Sequence, residues 1–249
     1  MKGLLFAVKN TPDAPFLGTR DRSSSSGYTY QSYADALSQV AQLAAGLRSV
    51  CGLRAGENVG LLALNRAEYL LTEYALYRHS CVPVSLYEAL GPNAIQYIAA
   101  HAGLRVLFTT KAKMKAVLEA LPQLPLVEHV VMFENEPSAL PAPQSVPGNA
   151  KFHTFAALLD AGAAQPIDAE PPSADDVALI MYTSGTTGTP VMRKKWECSF
   201  AFCEFIFTLF SFFTIERSGA HARRHAEWRR WIDVNVDTGG GGNLFLLFT

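Results

Sequence analysis

The apolar run Val177-Ala178-Leu179-Ile180-Met181-Tyr182 passes directly into Thr183-Ser184-Gly185-Thr186-Thr187-Gly188-Thr189-Pro190. Strand-like text ending in glycines and hydroxyls constrains this chain more than any other segment. Glycine lets the backbone take positive φ and approach a ligand closely. Successive turn N–H groups then form a concave nest for an anion. Hydroxyls at 183, 184, 186, 187 and 189 add donors around it. A plain Ser/Thr/Gly surface turn would account for the glycines. It would not account for a loop that caps a buried-type strand, or for small hydroxyls at nearly every other position. No Gly-Lys-Ser/Thr follows at Walker A spacing. The favoured reading is a nucleotide-phosphate loop, with Thr183, Ser184, Gly185, Thr186, Thr187 and Gly188 as its binding residues.

The text before that loop alternates between short apolar strands and helices. Tyr33, Leu37, Val40, Ala41, Ala44 and Leu47 recur at helical spacing, and Ser32 with Asp35 resembles a capping box. Gly52 and Gly56 punctuate the exit. Asn58–Leu64, Cys81–Leu86, Val106–Thr109, Val127–Phe133 and Asp175–Tyr182 read as strands. Arg66–His79, Pro92–Ala102, Lys111–Ala120 and Phe152–Ala161 read as helices. Proline-rich stretches at 134–150 and 165–174 read as surface connections. The expectation is an α/β fold of βαβ units with a mostly parallel sheet. Ligands in such sheets bind at the carboxyl ends of the strands.

The chain changes character near Val191. Cys198–Ile215 is almost wholly apolar, broken by Glu204, and an Arg/His-rich piece and four consecutive glycines at 239–242 follow. The apolar run reaches the minimum length of a membrane span and has basic flanks, but Glu204 counts against that reading. The second reading is an amphipathic or core helix, but the apolar residues go all round. The remaining alternative, a reading frame lost near codon 191, is favoured, because local consistency collapses there. The expected organisation is a domain at 1–192 and an aberrant or disordered tail at 193–249, with 198–215 as its hydrophobic helix.

Residues 182–190 match the phosphate-binding signature of adenylate-forming (AMP-dependent) synthetases at every defined position up to the proline. The segments Phe16-Leu17-Gly18-Thr19-Arg20, Gly56-Glu57-Asn58-Val59-Gly60, Asn65-Arg66-Ala67-Glu68-Tyr69 and Val82–Gly91 are similar to the long-chain fatty acid–CoA ligase branch. The resemblance spans about residues 6–192, as an incomplete N-terminal domain. The family's Lys-Gly after the proline is replaced by Val191-Met192. The resemblance implies ATP, Mg²⁺ and coenzyme A as cofactors, with a fatty acid as the remaining small-molecule substrate. In the intact family, the carboxylate attacks the α-phosphate of ATP, and the coenzyme A thiolate then displaces AMP from the acyl-adenylate. The loop would hold the β- and γ-phosphates. The family's later motifs are not found, so the chain alone is expected to be inactive, and no catalytic residue is assigned. The alternative is a non-catalytic, membrane-anchored or partner-binding truncated isoform.

Other candidates weigh less. Net charge is −1, so no basic excess points to nucleic acid. Cys51, Cys81, Cys198 and Cys203 show neither metal nor disulfide spacing, and no metal site is expected. His221 and His225 could share a helix face but have no ligand partner at suitable spacing. Tyr69, Tyr74, Tyr77 and Tyr87 read as packing aromatics, and Lys111, Lys113 and Lys115 as solvent-facing. The apolar core of the opening residues, Met1 to Lys9, is too short for a signal peptide. A cytoplasmic location or peripheral membrane association is expected.

Overall fold

Residues 2–20, 27–87, 91, 93–141, 149–184 and 190–196 are described by a computed structural model of the chain. The proline expected to open a helix at 92, the loop residues 185–189 and the apolar run 198–215 lie outside the described residues.

Helix α1 (Lys2–Asn10) leads into an antiparallel pair, β1 (Pro15–Arg20) and β2 (Tyr28–Ser32). Helix α2 (Tyr33–Cys51) starts at the capping box that the text signals. The Asp35 amide donates to the Ser32 hydroxyl at 3.1 Å, and the Ser32 amide donates back to the Asp35 carboxylate at 3.3 Å. Gly52 closes the helix at φ 60°, a left-handed conformation that glycine adopts without strain.

The elements β3 (Asn58–Leu62), α3 (Ala67–Arg78), β4 (Val82–Ser85), α4 (Ala94–His101), β5 (Val106–Thr109), α5 (Met114–Ala120) and β6 (His129–Met132) follow as alternating units. A 3-10 turn at Lys111–Lys113 precedes α5, so the helix expected from Lys111 starts more tightly wound. The helix expected over 152–161 is corrected at its start. Lys151–Thr154 is strand β7, paired with β6 from His129↔Lys151 to Met132↔Thr154, and α6 runs Phe155–Ala164. The ladder against β6 overrides local helical preference there. The Thr154 hydroxyl accepts from the Ala157 amide at 3.2 Å and caps α6 where the strand ends.

Two last strands, β8 (Val177–Ser184) and β9 (Pro190–Trp196), complete a seven-stranded sheet of order β7-β6-β5-β3-β4-β8-β9. Every neighbouring pair is parallel except β8 with β9. The fold is therefore α/β with a mainly parallel sheet. Side chains alternate across it. Leu107, Val130, Met132, Ile180 and Tyr182 pack with α4 and α5 on one face. Val106, Phe108, Val131 and Phe133 pack with α2, α3 and α6 on the other. Helices thus cover both faces, which is why the central strands read as continuous apolar runs.

The connection at 165–174 is pinned rather than loose. The Arg48 guanidinium donates to the Glu170 carboxylate at 2.6 Å, the Glu170 amide to the Arg78 carbonyl at 2.9 Å, and the Ser80 hydroxyl to the Glu170 carbonyl at 2.7 Å. That clamp delivers the chain to the start of β8.

Candidate functional site: the β8–β9 hairpin

Strands β8 and β9 pair from Val177↔Trp196 to Ser184↔Pro190. Thr183 and Ser184 occupy the last two positions of β8, opposite Val191 and Pro190. Gly185, Thr186, Thr187 and Gly188 lie outside the described residues. The closing pair brings the two ends of this segment to cross-strand distance, about 5 Å between Cα atoms. Pro190 lacks an N–H, and it stands where that lack is tolerated, at the first residue of an edge strand. The return strand carries the pairing four residues beyond Met192, to Trp196. On its other side β8 runs parallel to β4, with Val84↔Ile180 and Ser85↔Met181. The carboxyl ends of β4 and β8 therefore open on one edge, where sheets of this kind hold ligands.

An aromatic cluster secures β8 just before the glycine–hydroxyl segment, with Tyr182 buried, Tyr97 half-buried and His101 exposed. The Tyr182 hydroxyl and His101 Nδ1 are 2.9 Å apart, tying β8 to the end of α4. Tyr97 stacks on His101 at 5.5 Å and meets Tyr182 edge-on at 6.3 Å. Burial, reinforced by Tyr97, pushes the Tyr182 phenol up to about 12, so the hydroxyl keeps its proton at neutral pH. Nothing in the spacing of 97, 101 and 182 signals this cluster, because two of its members come from a different βα unit.

At the end of β4, the Tyr69 and Ser85 hydroxyls lie 2.8 Å apart. Glu73, on the same helix as Tyr69, is pushed up to about 8 by burial. Tyr69 and Tyr74 pack against the core and Tyr74 meets Tyr77 edge-on, which fits packing aromatics rather than a ligand cage. Lys111 pairs with Glu136 at 2.8 Å, and Lys115 is largely exposed.

One further grouping lies elsewhere. His129 Nδ1 and His153 Nε2 are 3.0 Å apart, and Cys51 brings a sulfur to the same place. Burial pushes the Cys51 thiol up to about 12. Among the described residues this is the sole gathering of three His, Cys, Asp or Glu side chains able to share an ion. Its sulfur and imidazole donors do not fit Mg²⁺, which takes oxygen ligands. No step is routed through Mg²⁺.

Comparison with known proteins bears on the whole arrangement. A family described as AMP-binding enzyme matches residues 6–192. The peroxisomal long chain acyl-CoA synthetase 6 of Arabidopsis thaliana is 36% identical over 186 residues, which is 74% of this chain and 26% of that protein. The chain spans about a quarter of the length of the curated relatives it matches. Among solved structures, the adenylation domain of a carboxylate reductase from Mycobacterium chelonae aligns with TM-score 0.69 at 20% identity, covering 78% of this chain and 34% of that one. A long-chain-fatty-acid-CoA ligase from Archaeoglobus fulgidus aligns with TM-score 0.60 at 20% identity, covering 84% and 37%. At such identities the structures speak to the fold alone.

Proposed function

The chain belongs to the AMP-binding enzyme family, and from that premise we propose that it serves ATP-dependent activation of a long-chain fatty acid, supplying the hairpin that grips the nucleotide's phosphates. The observation that carries this reading is the antiparallel β8–β9 pair, closed at Ser184↔Pro190 around a glycine–hydroxyl segment, in an otherwise parallel sheet. Thr183, Ser184, Gly185, Thr186, Thr187 and Gly188 are the residues proposed to hold the phosphates.

The chemistry is adenylyl transfer to the carboxylate, followed by acyl transfer to coenzyme A. A carboxylate oxygen attacks the α-phosphorus, the bond to the bridging oxygen breaks, and pyrophosphate leaves with the electron pair. The thiolate of coenzyme A then attacks the acyl carbon and AMP departs. On this reading, backbone N–H groups of the glycine–hydroxyl segment would donate to the β- and γ-phosphates and stabilise the charge that develops on the leaving group. The bonds of Tyr182 to α4 keep β8 in place as that charge grows, which makes Tyr182 and His101 positioning residues.

Titration of the 249-residue chain with pyrophosphate, ATP and GTP tests the reading by calorimetry. Weak binding of all three with little base preference, lost in Gly185→Val, is expected from a phosphate grip alone. Absence of pyrophosphate binding overturns the reading. Tight, adenine-selective binding would instead show that a nucleoside pocket within this chain carries the affinity, and would overturn the expectation that the phosphate grip acts alone.

A further inference from the structure

We propose that Cys51, His129 and His153 form a binding site for one zinc-class divalent transition-metal ion, stitching the end of α2 to β6 and β7. The inference is independent of the function proposed for the hairpin. The three side chains come from distant parts of the sequence. Cys51 is the last residue of α2, His129 the first of β6, and His153 lies within β7. The ligand atoms all fall within 4.8 Å of one another, and the two imidazole nitrogens face each other at 3.0 Å.

Those distances are close to a closed coordination shell. Zinc bonds of about 2.0–2.3 Å in a tetrahedron place ligand atoms about 3.3–3.8 Å apart. The facing nitrogens therefore have to open slightly and the sulfur to close, each by about 1 Å or less. One thiolate and two imidazoles suit zinc, cobalt or copper and disfavour magnesium and calcium. Three protein ligands leave a fourth position for water.

The surroundings are compatible with a cation. Lys151 stands opposite His129 in the ladder, but Glu128 adjoins His129. Arg105, the other nearby cation, is already matched by Glu57 at 2.8 Å and Glu128 at 2.7 Å. Cys51 and His129 are buried while His153 is half-buried, so an ion can enter from the His153 side.

Binding balances simply. The thiol S–H bond breaks, a sulfur–metal bond forms, and the proton leaves to solvent. The proton held between the imidazoles moves to the outer nitrogen of its own ring, freeing two lone pairs. Strands β5, β3 and β4 separate β6 from β8, so the site lies about 20 Å across the sheet from the hairpin. Its role is therefore structural. It would fasten an edge strand that is otherwise held on one side only.

The test uses the full chain carrying Cys198→Ser, Cys203→Ser, His221→Ala and His225→Ala, which leaves Cys81 as the one thiol besides Cys51 and removes the His221/His225 pair. Under a thiol-free reductant, cobalt should bind with one equivalent and show a near-ultraviolet thiolate-to-cobalt charge-transfer band. Zinc should displace it and raise the melting temperature, as any ligand selective for the folded state does. Cys51→Ser should abolish the band. His153→Ala should weaken binding at least about tenfold, a loss that removing even a group hydrogen-bonded behind a ligand can cause. Cys81→Ser, a buried thiol outside the three-residue group, should change neither. If the folded parent chain shows no charge-transfer band at micromolar cobalt, the site does not exist and the histidines are simply hydrogen-bonded. Survival of the band and the affinity in Cys51→Ser and His153→Ala would equally overturn the assignment.

Discussion

Arg66 reaches three groups from the N-cap position of α3. Its Nε donates to Glu68 at 2.8 Å, its Nη1 donates to Glu134 at 2.6 Å, and its guanidinium lies 5.2 Å from the centre of the Phe133 ring. The partners are mostly shielded from water, so the arrangement should matter more than a surface pair. Arg66→Ala is expected to lower stability by about 1–3 kcal/mol, read as a fall in denaturant midpoint at unchanged slope. Glu134 carries a pH signature of the same contact. Burial alone would raise its carboxyl, but hydrogen bonds from Arg66 and from the Lys111 and Glu134 amides outweigh this and leave it below the ordinary 4.5. The unfolded chain therefore binds the proton first. This contribution is complete above about pH 4.5 and is lost as pH falls through the lower folded value. Glu134→Gln should flatten the acid limb of a stability–pH curve. Glu73 runs the opposite way, because burial raises its carboxyl to about 8. Its folded form holds a proton that the unfolded form releases above about 4.5, so stability should decline between about pH 5 and about pH 8. Melting temperatures of Glu73→Gln should lack that decline, and an identical pH profile in the variant would refute the assignment.

The crossing of α2 and α6 depends on two glycines. A Cβ on Gly162 would run into the Gln42 carbonyl oxygen, and one on Gly46 into the Leu158 carbonyl oxygen. Both obstacles are backbone, so the helices must separate to admit a methyl group. Gly162→Ala should destabilise by about 1–3 kcal/mol or more despite alanine's better helix propensity. A neutral or stabilising result by chemical denaturation would contradict this packing. Elements with local signals are legible in the text. The Ser32–Asp35 box starts α2, and the apolar run 106–109 becomes β5 over the same residues. Lys151–Thr154 is not legible as a strand, because four residues carry too little periodicity and only the ladder with β6 makes them one. The return strand β9 escapes the text for a similar reason. Its Arg193-Lys194-Lys195 suits an edge strand and gives no apolar alternation to read. The glycine–hydroxyl segment can be found from composition because its residues are consecutive. The His101–Tyr182 anchor and the Cys51–His129–His153 cluster cannot, since only the tertiary fold brings their members together.

At the scale of the molecule, the buried apolar residues on both faces of the sheet lie, among the described residues, between Leu4 and Tyr182. We propose that these contacts suffice for a cooperative unit. A chain ended after Trp196 should keep a single unfolding transition with little change in midpoint. Loss of that transition would show that later residues complete the core. Residues 6–192 match the family and correspond to about a quarter of the relatives' length. The 249-residue chain is accordingly expected to release no pyrophosphate from ATP and a fatty acid, and release requiring both would refute this. The antiparallel turn has one more consequence, for fraying. A ladder peels from its open end, and here that end is Val177↔Trp196, while Ser184↔Pro190 is the closed end. A tug on the chain beyond Trp196 unzips the pairs one at a time and reaches the closed end last. Amide exchange along β8 and β9 should therefore slow from Trp196 toward the closing pair. The phosphate grip proposed for this hairpin would thus be buffered against disturbance downstream, and that buffer is the length of a single edge strand.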